Sequence, residues 1–472
     1  MTIALISSLD APGDKALLLL GAVLFLALLT GIAYHWPVFT MLLFLVLGPL
    51  AYVMHMTASG ALIESINIAA IRPVDAVLVA MLGASCARVG TAAFTRRRRF
   101  PAAMSWTLGL FASWFLVEIA RNVLARGFSA PGEFRYSYLV LAMPVYVALL
   151  FSKAKERRQL LKITILLATL VTLCFVPLIG VMKGWGVGPE SRFLPSLLSL
   201  GLALGWIALF VAVRAGALHM SMAFVWLLAL PVAGLVLADG HRSVWLVLLA
   251  VPIILILVGE LQPRVASWIL PVSAIFGLIL VVVFAAGVDL VPYVTVRARA
   301  FTAPSSDRDA SWRQSQWQAQ LTIWRRDPLA GEGLGGYWSA GQEYGAANVE
   351  PHSLYVQTLV KLGGVGLALM LALALSIALL LARALARLRR LGHHDEPDHA
   401  LIVMGVVGLT AVLVYGVAYA LDYYALLFVG LGIAAAVHHD AAPKRPAATG
   451  PGFQAAIPPH SAPADESGIS TP

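Results

Sequence analysis

Charge is scarce in this chain. Only 12% of its 472 residues are Asp, Glu, Lys or Arg, about half the share of a soluble domain, so a water-solvated enzyme is excluded as the general plan. Cysteine is nearly absent. The two present, Cys86 and Cys174, lie in separate apolar runs, which excludes a disulfide framework or a thiolate metal site and leaves them as small buried hydrophobes. Acidic residues number 24 against 33 basic ones. The resulting net charge of +9 does not indicate nucleic acid, because the bases form short clusters between apolar runs: Arg96, Arg97, Arg98 and Arg99; Lys153, Lys155, Arg157 and Arg158; Arg383, Arg387, Arg389 and Arg390. That is the positive-inside pattern, and it assigns these loops to the cytoplasmic side.

What the chain has in abundance is apolar sequence: 60% hydrophobic residues and a mean hydropathy of +0.84. Runs of about 20 apolar residues recur, each long enough to cross a hydrocarbon core of roughly 30 Å as a helix, whereas barrel strands alternate over about ten residues. The fold class is therefore an all-α polytopic membrane protein. Spans are predicted at 16–33, 38–55, 74–94, 104–124, 138–152, 161–181, 197–213, 222–238, 244–258, 266–291, 354–382 and 401–437. The last is too long for one crossing, and Asp422, Tyr423 and Tyr424 mark a turn within it, so about twelve helices are expected, or thirteen. Residues 1–15 lack the basic start and cleavage site of a secretory signal, and the first run is expected to remain. The bundle occupies 1–437; from 438 to 472 Ala, Pro, Gly and Ser dominate, a composition that reads as a disordered tail.

Alternation from the basic loops puts the connections 126–137, 183–196, 239–243 and 293–353 on the opposite face. The segment 293–353 is the one large loop. Within it Asp309 is placed to cap a helix whose Trp317, Leu321 and Trp324 fall at i, i+4 and i+7, and Asp327-Pro328 ends it. Such a helix reads as an interfacial element anchored by tryptophans, with substrate contact as the lesser reading.

Arginines on the outer side run against the positive-inside bias. Arg192, in Pro189-Glu190-Ser191-Arg192, and Arg242, in Gly240-His241-Arg242-Ser243, are two such. The planar guanidinium matches phosphate oxygens bidentately, which suits a pyrophosphate; snorkelling to lipid phosphate, or pairing with Glu190, is the alternative. His352 opens the span after the loop, in Glu350-Pro351-His352-Ser353-Leu354-Tyr355. An imidazole with an ordinary pKa near 6.5 can take a proton from a sugar hydroxyl at neutral pH, although a lone histidine at a helix start is more often an interfacial or capping residue. The glycines of Gly331-Glu332-Gly333-Leu334-Gly335-Gly336 allow close approach of a ligand to backbone, yet no Gly-Lys-Ser/Thr follows, so this is no nucleotide-binding loop. Glu118 and Arg121, three apart on one helix, are expected to pair locally.

The order Asp309, Arg313, Trp317, then Asp327-Pro328-Leu329-Ala330-Gly331-Glu332-Gly333-Leu334-Gly335, then Pro351-His352-Ser353-Leu354-Tyr355 and Lys361-Leu362-Gly363-Gly364-Val365-Gly366 resembles the O-antigen ligase and polymerase superfamily. In that family an arginine and tryptophan helix, a Pro-x-x-Gly-x-Gly-x-Gly turn and a His-Asn pair entering a Leu-Gly-x-x-Gly helix follow one another in a large periplasmic loop. Ser353 stands where the family commonly has asparagine. The turn His241-Arg242-Ser243 is similar to the family's Ser-Arg-Ser type, and Arg192 sits where the family places another arginine.

The resemblance implies a metal-independent glycosyltransferase without a cofactor, in a bundle similar to the lipid-donor (GT-C type) enzymes. Its donor would be undecaprenyl pyrophosphate-linked polysaccharide and its acceptor a sugar hydroxyl of the lipid A core, at the periplasmic face of a bacterial inner membrane. His352 would be catalytic and Arg192 and Arg242 pyrophosphate-binding. Arg313, Asp309, Gly333, Gly335, Ser353 and Tyr355 would bind substrate or support the site. An O-antigen polymerase and a protein O-oligosaccharyltransferase share these motifs; a lipid-linked glycan flippase is the rival from another class, and predicts a polar path through the spans.

Overall fold

The computed structural model describes residues 12–55, 73–95, 100–126, 138–171, 173, 196–239, 241–260, 308–334, 352–392, 397–419 and 421–440. Among them the regular structure is helical: α1 (Pro12–His35), α2 (Pro37–His55), α3 (Pro73–Thr95), α4 (Ala102–Arg126), a 3-10 turn Leu139–Leu141 leading into α5 (Ala142–Leu150), α6 (Ala154–Ile165) continued by a π-helical stretch Leu166–Val171, α7 (Ser196–Arg214), α8 (Met222–Asp239), α9 (Arg242–Leu257), α10 (Arg308–Trp324), α11 (Leu354–Arg390), α12 (Pro397–Tyr415) and α13 (Tyr423–Asp440). The expected spans 104–124 and 354–382 and the expected break at Asp422 fall within or between these helices. The run 401–437 is two helices.

By length and hydropathy α3, α4, α11 and α12 can each cross a membrane. The runs at 16–33 and 38–55 do not appear as two separate crossings: α1 and α2 meet at a bend of 116° and meet the same criterion only together. The bend falls where Pro37, which lacks a backbone N–H, follows Trp36. Helices α7, α8, α9 and α13 are apolar but shorter, and 266–291 lies outside the described residues. Cys86, expected to be buried, is exposed on α3; Cys174 lies outside the described residues.

The centre of the bundle is α12 packed against α13. Their approach is set by glycine: a Cβ on Gly405 would lie 2.7 Å from the Cα of Gly432, and one on Gly408 2.5 Å from the Ala425 carbonyl oxygen. Small residues let backbones come this close, which is the usual source of attraction between helices where lipid removes the hydrophobic drive.

The bundle has two chemically distinct ends. At one, Arg157 is fully buried and donates to Asp398 at 2.6 Å, Asp398 lies 3.3 Å from His439, and Glu260 receives Arg389 at 2.6 Å and His399 at 3.1 Å. The basic clusters at 153–158 and 383–390 thus converge with the C-terminal ends of α9 and α13. Burial pushes the Glu260 carboxyl up, but the His399 hydrogen bond and the Arg389 guanidinium outweigh it and hold the group below the ordinary glutamate range. At the other end gather the start of α9, α10, the start of α11 and the turn between α12 and α13.

Candidate active site

The geometry at this second end begins with a break in α11. Gly363 has φ 69° and ψ −174°, a combination open in practice to glycine alone, and it separates a short segment, 354–362, from the long span beyond. The loop turn fills the notch: Gly364 N donates to Pro328 O at 2.8 Å, Val365 N to Leu329 O at 3.2 Å and Glu332 N to Val360 O at 2.8 Å. A Cβ on Gly363 would overlap the Leu329 carbonyl, one on Gly331 would reach the Val360 carbonyl, and one on Gly333 would run into the Asn122 amide.

The glycines of this motif were expected to let a ligand approach. Gly331 and Gly333 instead have positive φ, 72° and 81°, and what approaches them is the protein itself, α11 and α4. Their role is to seat the turn. Arg121 of α4 completes the seat, 3.3 Å from Glu118 and from Asp327, and donating to Gly331 O. The Glu118–Arg121 pair is local as expected, but it also clamps the loop. Gly335 lies outside the described residues.

The start of α11 is tied to the turn after α12. Leu354 N donates to Gly416 O at 2.7 Å and to Tyr419 O at 2.9 Å, and a Cβ on Gly416 would lie 3.1 Å from Leu354. Tyr355 Oη donates to Leu413 O at 2.6 Å, which makes Tyr355 a brace between α11 and α12. Ser353 is buried and is the N-cap of α11, its hydroxyl accepting from Val356 N at 3.4 Å. Asparagine caps equally well, so the departure from the family's usual residue preserves this function.

These ties put His352 in an aromatic and cationic cluster. Its ring lies 5.4 Å from Trp312, edge to face, and 6.0 Å from Tyr419. Arg313 donates to Tyr419 Oη at 3.2 Å, with its guanidinium carbon 5.1 Å from the ring centre. Tyr419 stacks on Tyr415 at 4.9 Å and meets His241 at 6.2 Å. His241 is buried and is the N-cap residue of α9, directly before the half-buried Arg242. Thus His352 and Arg313 share Tyr419, and Tyr419 reaches the turn that carries Arg242. Arg192 lies outside the described residues. Asp309 is the second residue of α10 rather than its cap, because the helix begins at Arg308.

Two features were not legible beforehand. Tyr419 is the hub, yet it sits 67 residues beyond His352, in a turn with no signature of its own. Helix α10 buries Gln316, Gln320 and Ile323 against the protein, while the Trp317, Leu321 and Trp324 face, read as interfacial, is half-buried. Ile323 packs on Val360, and neither Gln316 Oε1 nor Trp317 Nε1 has a hydrogen-bond partner among the described residues. The signal was there at i, i+4 and i+7, but two of the three residues are glutamines, which an apolar periodicity passes over.

A helical membrane protein with a histidine, arginines and stacked aromatics gathered at one end, away from its basic loops, is the class that these features define. Residues 223–371 match the family model described as O-antigen ligase, a window running from α8 to just past the Gly363 break, and the match supports the O-antigen ligase superfamily for this chain. Function of the O-antigen ligase or polymerase type, by glycosyltransferase-like enzymes using lipid-linked glycans, is what that family supports. No curated protein matches the chain. Tyr419, Arg121 and Asn122 fall outside the matched window, so this end of the bundle draws on helices from both sides of it.

Proposed function

We propose that the chain is an O-antigen ligase, which transfers polysaccharide from undecaprenyl pyrophosphate to a sugar hydroxyl of the lipid A core on the periplasmic face of the inner membrane. The observation that carries this reading is the convergence of His352, Arg313, Trp312 and Tyr419 beside the turn of His241 and Arg242. In the reaction the acceptor oxygen forms the new bond to the anomeric carbon and the bond to the pyrophosphate oxygen breaks. The acceptor proton goes to His352, and the pyrophosphate leaves with the electron pair, held by Arg242 and Arg192 as bidentate forks. Arg313, fixed by Tyr419, adds positive charge on the same side, and Trp312 offers an apolar face to a sugar ring. No nucleotide and no metal take part. The surrounding bundle, of about twelve spans, follows the lipid-donor glycosyltransferase plan.

The discriminating experiment is to identify what a host lacking the protein accumulates. Unligated long chains on the lipid carrier are expected; single repeat units would make the protein a polymerase, and intermediates held at the cytoplasmic face would make it a flippase. The sidedness has its own test. Ser305→Cys and Gln342→Cys should react with a membrane-impermeant thiol reagent from outside, and reaction only after the membrane is breached would reverse the topology and remove the site from the periplasm.

A further inference from the structure

At the end of the bundle opposite His352, a cavity of about 80 Å³ opens between the start of α4 and the ends of α11 and α13. Arg383 and Arg387 line it, with His439; the rest of its wall is small or apolar and includes Met104, Leu379 and Leu380. Among the described residues that line it there is no carboxylate. Among the described side chains, Asp398 is engaged by Arg157 and His439, and Glu260 by Arg389 and His399. Arg387 donates to the His439 carbonyl at 2.5 Å, which anchors it at the rim, and Arg383 is exposed. Two guanidinium groups thus stand at the mouth of a partly apolar hollow. In sequence, Arg96 to Arg99 immediately precede the residue pair Phe100-Pro101 at its edge.

The surface leading away from the cavity is equally informative. Leu371, Leu375 and Leu379 are exposed at i, i+4 and i+8 on α11, and Arg383 is the next position of the same stripe. Exposed Trp106 stands on α4 two residues from Met104, as tryptophans do at the level of the headgroups. A ridge of leucines ending in an arginine beside a hollow has the shape of a lipid: acyl chain on the leucines, phosphate on the arginines. We infer that this cleft is a binding site for an anionic phospholipid of the leaflet on the side of the basic loops, with Arg383 and Arg387 holding the phosphate and Leu371, Leu375 and Leu379 the acyl chain. Basic pockets between spans on this side bind anionic headgroups by the same physics. Bound there, the lipid bridges α4, α11 and α13, adding to the Thr107–Ser376 and Arg387–His439 contacts that already join them.

The test uses the full chain in detergent, stripped of lipid, then titrated with phosphatidylglycerol or phosphatidylcholine while retained lipid is counted by native mass spectrometry. Phosphatidylglycerol should be retained in preference, and Arg383→Ala should weaken that retention about fivefold, the weight of one basic contact at an anionic surface. Ser376→Trp, which fills the cavity without touching charge, should weaken it as well; size-exclusion profiles identical to wild type establish that both variants fold. Equal retention of the two lipids, or Arg383→Ala binding phosphatidylglycerol as wild type does, overturns the site. Displacement of the lipid by millimolar inorganic phosphate would show that the cleft takes a soluble anion and overturn the lipid assignment.

Discussion

Gly363→Ala isolates the feature on which the site is built. The alanine would have to adopt φ 69°, ψ −174°, a region that costs a non-glycine residue about 1–3 kcal/mol. Its Cβ would also overlap the Leu329 carbonyl, so the turn must leave the notch. The three backbone hydrogen bonds that seat it, Gly364 to Pro328, Val365 to Leu329 and Glu332 to Val360, are then lost at about 1 kcal/mol each. Together these effects amount to roughly 4–6 kcal/mol, about three to four decades in the population of the seated turn at about 1.4 kcal/mol per decade. Gly392→Ala is the internal control: its φ is 72° and no atom lies within 4 Å of the added Cβ, so it suffers only the left-handed strain, about 1–2 kcal/mol. The assay is transfer of lipid-linked glycan to acceptor by purified protein in detergent, alongside thermal unfolding followed by tryptophan fluorescence. Gly363→Ala should lose at least two decades of transfer and melt well below Gly392→Ala. If the two variants behave alike in both measurements, the notch does not organise the site and the structural reading of the glycine motif is wrong.

His352→Ala should insert normally yet lose two to four decades of transfer, the usual worth of a general base; His352→Gln, which can hydrogen-bond but not take a proton, should be nearly as poor, and substantial activity in it would leave His352 only a positioning role. Arg242→Lys keeps the charge and loses the fork, so transfer should drop by one to two decades, about 1.5–3 kcal/mol; wild-type rates at normal expression would falsify bidentate binding. For Glu260, a folded-state carboxyl held below the ordinary 4.5 stabilises the protein above that pH, and the contribution disappears as pH falls through the lowered value. Glu260→Gln should therefore lower the melting temperature at neutral pH and flatten its acid limb; an unchanged acid limb would mean that the Arg389 and His399 contacts contribute nothing to stability.

The parts of this molecule that depend on local sequence were readable from it. Apolar runs of span length gave the helices, Asp327-Pro328 gave the stop of α10 after Trp324, Asp422 gave the division of the last run, and the i, i+3 spacing of Glu118 and Arg121 gave an ion pair. The parts that depend on what meets what were not. A glycine at positive φ announces that something comes close, but Gly331 cannot say whether that is a phosphate or the Val360 carbonyl. Tyr419 owes its position to a backbone bond from Leu354, and no pattern within the α12–α13 turn encodes a partner so far upstream. Helix α10 showed an interfacial face through its tryptophans, but its inward face is carried by Gln316 and Gln320, which hydrophobicity does not mark. Arg192 and Gly335 remain sequence expectations.

The break in α11 has a mechanical consequence. The long span beyond Gly363 runs roughly 40 Å at 1.5 Å per residue, more than a bilayer core of roughly 30 Å requires, and such spans tilt to match the local thickness. His352 does not ride on that span. It is carried by the nine residues 354–362, fastened to the α12–α13 turn by Leu354 and Tyr355 and to the loop by Glu332. The loop turn grips both sides of the glycine, Val360 before it and Gly364 and Val365 after it, so the depth of the histidine relative to Tyr419 and Arg313 is set by this seat and not by the length of the span.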